Sequence, residues 1–245
     1  MFSNDDIAKI LLYYPRCVIP LWLWILVPEL ITCLSTNASD NSYPGVDFAT
    51  LGYTGPTALN ESNIAYGQQQ RAFNIYAETT FVCPSYWMAE AYTDRGRSSY
   101  KYQYSVLPAE HGTDLAVYFE PQAPYAGPDL AKAFMTIIGN FVTQDNPSIS
   151  NDIANGNANG SATGYNPASN WPAFAIYAPY QINLNQTGGD LVTLPNFFLN
   201  NGLNTSAYVG PGLHNNISLH NAYTWAGGRG YRCDFWRSMG PLVPE

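Results

Sequence analysis

Charge is scarce in this chain. Of its 245 residues only 11% are Asp, Glu, Lys or Arg, and Lys and Arg together number 10 against 18 acidic residues, a net charge of −8. Phosphate binding needs a basic surface, so this balance argues against a nucleic-acid partner. Solvation must fall to neutral polar groups, and Asn, Gln, Ser and Thr are abundant. Cysteine is sparse as well: the four are Cys17, Cys33, Cys83 and Cys233, with no CxxC pair and no histidine at a zinc-ligand spacing from them. That excludes the common structural zinc motifs. His214 and His220 flank an Asn-rich loop, where two readings stand: a metal pair, or two solvated loop histidines, the simpler of the two. No internal repeat is visible.

What the chain does hold is apolar surface. Hydrophobic residues make up 46% and aromatics 15%, enough for a buried core. Six Asn-x-Ser/Thr sequons occur, at Asn37, Asn60, Asn159, Asn185, Asn204 and Asn216. Such triplets arise by chance in an Asn-rich chain, but their density suits a secreted glycoprotein, and sugar would supply solvation that charge does not.

Along the chain, residues 4–14 read as a short helix capped by Asn4 or Asp5, with Ile7, Ile10, Leu11 and Tyr14 on one face and Pro15 as the stop. Residues 17–34, CVIPLWLWILVPELITCL, are the most apolar window, close to the shortest length that spans a bilayer. Pro20, Pro28 and Glu29 count against a stable span. Lys9 and Arg16 precede it as in a signal-anchor, and no clean cleavage site follows. A membrane span and a misplaced or buried apolar insert are the two readings. Residues 35–62 read as loop, 63–80 as a helix, and 84–95 as another with Met88, Ala91 and Tyr92 as its apolar face. Residues 99–106, SYKYQYSV, alternate as a strand does, Tyr100, Tyr102 and Tyr104 against Lys101, Gln103 and Ser105. Residues 128–142 predict an amphipathic helix with the stripe Leu130, Phe134, Ile137, Ile138 and Phe141. The Asn/Gly/Ser-rich residues 145–170 read as surface loop. Residues 171–230 carry short β-like pieces, and a short helix around CDFWRSMGPL closes the chain.

His111 is the candidate catalytic residue. It sits in EHGTDL, on the loop past the carboxyl end of the tyrosine-rich strand, where α/β folds place their sites. In order along the chain, FVCPSYWMAEAY, YKYQYSV followed by EHGTDLAVYF, IIGNFVTQDNPS, WPAF…INLN and CDFW resemble the C-terminal part of the type B carboxylesterases, the group of cholinesterases and fungal secreted lipases. The resemblance covers roughly residue 60 to the end (63–245 as a domain), with NDDIAKILLYYP in 1–16 as a weaker anchor. It implies an α/β-hydrolase fold represented by its C-terminal part, mostly helical with few strands and an incomplete sheet. It implies ester hydrolysis through a Ser…Glu…His triad in which His111 is the general base. It also implies a disulfide between Cys83 and Cys233. No cofactor and no metal are implied; the partner is an ester substrate, and the location extracellular, or membrane-anchored through 17–34.

The chain departs from the pattern in what it lacks. No G-x-S-x-G occurs, so there is no nucleophile elbow, and no glycine-rich oxyanion loop and no counterpart of the triad glutamate are found. The family's domains are about twice this length. The apolar 17–34 has no counterpart there, which a mis-joined coding segment would explain. The expectation is therefore a chain that keeps the base and is inactive alone, the alternative being a non-catalytic glycosylated binding module. Asp114 reads as the start of a turn or cap rather than a triad member, since a residue three positions away on one loop is strained as an orienter. Glu110 reads as loop surface, the tyrosines of 99–106 as sheet packing, and Trp87, Trp171, Trp225 and Trp236 as packing anchors.

Overall fold

The computed structural model describes residues 3–14, 74–93, 96–107, 109, 111–119, 125–156, 164–194 and 205–242. The 17–34 segment and the 35–62 loop lie outside the described residues, as does Glu110. The chain divides into two compact units, one of residues 1–88 with 222–245 and one of 89–221. The architecture is mixed helix and strand, with small sheets, and is compatible with a partial α/β fold.

In the first unit, α1 spans Asn4–Tyr13. Its cap is Ser3, one residue earlier than the Asn4 or Asp5 expected: the Ser3 hydroxyl accepts from the Asp6 amide at 3.2 Å while Asp6 accepts from the Ser3 amide at 2.9 Å. The Ser3 hydroxyl also donates to Asp6 Oδ2 at 2.7 Å, and that bond, then the one from the Ser3 amide, holds the Asp6 pKa below the ordinary value. The helix expected over 63–80 is described only from Asn74, where it passes into a π-helical stretch, Glu78–Val82, and then into α2, Cys83–Tyr92. The face predicted on α2 is not the buried one. Met88, Ala91 and Tyr92 are exposed, and Cys83, Tyr86 and Ala89 are buried. The reason is a pair of tethers: Cys83 is bonded to Cys233, and the Tyr86 hydroxyl donates to the Ala222 carbonyl at 3.0 Å. They fix which side of the helix faces inward. The last helix, α6, runs Trp225–Met239 and is longer than the sequence suggests.

A buried ion pair ties these pieces together. Arg232 donates to Glu78 through Nε at 2.9 Å and Nη2 at 2.7 Å, with Arg229 Nε 3.7 Å away. The Tyr14 hydroxyl donates to the same carboxylate and accepts from Trp236 Nε1 at 2.8 Å. Burial, then the Glu78 charge, pushes the Tyr14 phenol well above its ordinary range. A bidentate guanidinium offsets the cost of taking a carboxylate out of water.

The second unit is built on a three-stranded sheet in the order β1-β2-β7, with β1 Tyr102–Tyr104, β2 Tyr180–Leu184 and β7 Ser218–Asn221. β1 and β2 are parallel, with Tyr102 opposite Ile182 and Tyr104 opposite Leu184; β2 and β7 are antiparallel. Parallel neighbours need a crossover. Here it holds α3 (Thr113–Phe119), α4 (Pro128–Gln144) and α5 (Asn151–Asn155). The α4 stripe packs as predicted at Leu130, Phe134 and Ile137, while Phe141 is exposed and meets the Tyr100 ring edge-on. Phe134 meets Tyr102 and Tyr118 edge-on and stacks with Tyr104. The three alternating tyrosines therefore pack on the core, with Ile182, Leu184 and Ile217. The opposite side of the alternating run is not simply wet, because Lys101, just before β1, is buried.

Within the expected surface loop 145–170, the described residues 145–156 and 164–170 are more ordered than a loop. Ser150 caps α5, and Ile149, Ala154 and Ala168 are buried. The Asn166 amide donates to Asn151 Oδ1 at 2.7 Å and its side chain to Asn155 Oδ1 at 2.9 Å. Asparagine side chains bonded to one another do here what a hydrophobic pattern would do elsewhere. Two antiparallel pairs complete the unit: β3 (Gln186–Thr187) with β6 (His214–Asn215), and β4 (Asp190–Leu194) with β5 (Thr205–Val209).

Candidate functional site

His111 lies on an exposed turn between the end of β1 and the start of α3. Both ends of its loop are anchored. At the strand end, the Ser105 amide donates to the Leu184 carbonyl at 2.9 Å and the Ser105 hydroxyl to Asn183 Oδ1 at 2.6 Å. Val106 and Leu107 are buried just beyond. At the helix end, Asp114 stands in the first turn of α3 and accepts from the Tyr102 hydroxyl at 2.8 Å. Burial, then that bond, raises the Tyr102 phenol far above its ordinary range, so it remains a donor.

Between the anchors the backbone turns sharply. The Ala109 amide donates to the Val106 carbonyl at 2.7 Å, and Ala109 has φ +42°. Gly112 follows at φ +83°, a conformation that glycine adopts without a Cβ penalty. The Leu115 amide bonds back to the Gly112 carbonyl at 3.2 Å and starts α3, while Val117 on that helix is buried in the core. His111 thus stands, exposed, between two anchored ends. Its imidazole can take up and return a proton to a group brought to it. Asp114 is the second residue of α3 and its carboxylate accepts from Tyr102 on β1, a partner that the turn-or-cap reading did not foresee.

Cys83 and Cys233 form a disulfide with Cα atoms 5.0 Å apart, across a sequence separation of 150. His214 and His220 are strand residues rather than solvated loop residues. His214 is in β6, its Nδ1 3.0 Å from the Gly212 carbonyl; His220 is in β7, its Nε2 2.8 Å from the Ser218 hydroxyl. Burial lowers the His220 pKa. No group of three His, Cys, Asp or Glu side chains suited to a metal occurs among the described residues. Likewise no helix among the described residues is long and apolar enough to cross a membrane.

Of the sequons, Asn216 is exposed, whereas Asn185 is half-buried and its Oδ1 accepts from the Gln186 amide at 2.8 Å. Asn37, Asn60, Asn159 and Asn204 lie outside the described residues. Trp171, Trp225 and Trp236 are buried, as packing anchors are. Sequence reasoning missed the Ser218–His220 bond, for which the i, i+2 spacing on a strand was the available signal. Ser218 sits within a strand and not on a strand-to-helix elbow, so it lacks the exposure that a nucleophile of that kind has. The Glu78–Arg232 pair was missed as well; nothing local in the sequence pairs residues so far apart. No family model matches the chain, and neither a curated protein nor a solved structure matches it.

Proposed function

We propose that this chain is the histidine-bearing part of a carboxylic ester hydrolase of the type B carboxylesterase kind, with His111 as its general base. In that role Nε2 of His111 takes the proton of a serine hydroxyl as the hydroxyl attacks the ester carbonyl. It then returns the proton to the departing alcohol. The observation that supports this reading is the position of His111. It stands on a braced, exposed turn past the carboxyl end of β1, whose parallel neighbour β2 is reached through helices. Strand ends of parallel sheets are where loop geometry is fixed well enough for catalysis. The disulfide between Cys83 and Cys233 is consistent with the same family.

The sequence holds no G-x-S-x-G, and a base without a nucleophile has nothing to activate. The expected outcome is that a fluorophosphonate probe leaves this polypeptide unlabelled. Mixed with a separate polypeptide carrying the nucleophile elbow and triad acid of a type B carboxylesterase, it promotes labelling of that partner's serine. Labelling of a serine in this chain alone would overturn the proposal, and so would a partner whose labelling rate does not respond to its presence.

A further inference from the structure

We propose that the tight hairpin Ala175–Ala178 is a docking tip that inserts Ile176 and Tyr177 into the surface of an uncharged lipid layer. Ala175 and Ala178 exchange backbone hydrogen bonds at 3.3 and 3.0 Å, leaving a two-residue tip. Such tips are ordinarily Gly, Asn, Asp or Ser, which suit the backbone and the solvent. Here they are isoleucine and tyrosine, 66% and 94% exposed. Two large apolar side chains in adjacent tip positions, both facing water, call for a partner.

The tip stands on a rigid base. Phe174 is buried; its amide donates to the Ser99 carbonyl at 2.8 Å and its carbonyl accepts from the Thr93 hydroxyl at 2.8 Å. Trp171 is buried a few residues earlier, and the Tyr180 amide returns to the Ala178 carbonyl at 2.8 Å. Little conformational freedom is therefore lost when the tip is engaged, which favours binding by a small contact.

Size and charge select the occupant. Two side chains of this kind cover only a few hundred Å², well short of the roughly 800 Å² per partner of a stable protein interface. A second copy of the chain is thus a poor fit. A lipid surface needs no such area, and tyrosine suits the boundary between headgroups and acyl chains. From residue 153 to residue 189 the sequence has no Asp, Glu, Lys, Arg or His. Of the cations flanking Ser99 in sequence, Arg97 lies over the Tyr92 ring at 5.4 Å and Lys101 is buried. With a net charge of −8 the whole chain is repelled by an anionic bilayer. The matching surface is zwitterionic, and this proposal is independent of the ester chemistry above.

The test is partition of the full chain onto phosphatidylcholine vesicles by co-sedimentation at millimolar lipid. The expected result is a partition coefficient lowered about tenfold or more by Ile176→Ser with Tyr177→Ser. Val142→Ser, at an exposed apolar residue of α4, should leave it unchanged. The exposed tip makes these variants mild, and Tyr177→Trp gives a second readout. Its added indole should be quenched by headgroup-region spin-labelled phosphatidylcholine beyond the quenching of the chain's own tryptophans. Equal partition of tip variant and wild type, an equal loss from Val142→Ser, retention on phosphatidylserine vesicles alone, or no added quenching overturns the proposal. So does a dimer in sedimentation velocity that the tip variant abolishes.

Discussion

At the scale of single residues, His220 is the titrating group with the clearest consequence. It is half-buried on β7, and burial holds its pKa below the ordinary 6.5. In the native chain it therefore resists the proton that the unfolded chain accepts. Stability is unaffected while both states are neutral; it falls as pH drops through 6.5 toward the lower folded value. Urea midpoints at about pH 7.5 and 5.5 should thus decline for the wild type, and less steeply for His220→Gln, since carboxylates titrate mostly below this window. Equal declines would contradict the assignment. The residue scale is also where sequence reading fared most unevenly. The HGTDL context singled out His111 because strand, glycine and turn follow one another locally. The Tyr102–Asp114 bond that braces its loop was hidden, because it depends on a strand and a helix meeting in space.

At the scale of elements, periodicity was a good guide wherever one stripe of a helix decides the packing. In α4 the residues Leu130, Phe134 and Ile137 are buried as their spacing predicts. It failed on α2, where the Cys83 and Tyr86 tethers rather than the apolar pattern choose the inward side. The start of α6 was obscured by Gly227, Gly228 and Gly230, each unfavourable in a helix. Gly230 has its reason in three dimensions: a Cβ there would lie 2.4 Å from Tyr223 Cγ. The strands from β2 to β7 were faint because they are short and buried glutamine and asparagine interrupt their alternation, as at Gln181 and Asn183. The elements of the first unit are held by the Glu78–Arg232 pair, and there a prediction is sharp. Glu78→Gln leaves Arg232 buried without its counter-charge, so it should cost about 3–5 kcal/mol by urea denaturation. A loss below about 1 kcal/mol would mean that the pair adds little.

At the scale of the whole molecule, the first unit is assembled from both ends of the chain, 1–88 and 222–245, and the disulfide joins those two stretches. Closing a loop of 150 residues is worth about 5 kcal/mol at most in the chain-entropy model, and native-state effects bring typical values to about 2–5 kcal/mol. Cys83→Ser with Cys233→Ser should lower stability by that amount in chemical denaturation; an unchanged midpoint would remove the staple from the account.

The central claim is that the imidazole of His111 moves the proton in ester cleavage. It is tested most directly by turnover of a simple ester by this chain recombined with a serine-bearing carboxylesterase partner, wild type against His111→Ala. The account predicts a fall of about a thousandfold or more, partly restored by free imidazole. Turnover that is unchanged by His111→Ala would contradict it.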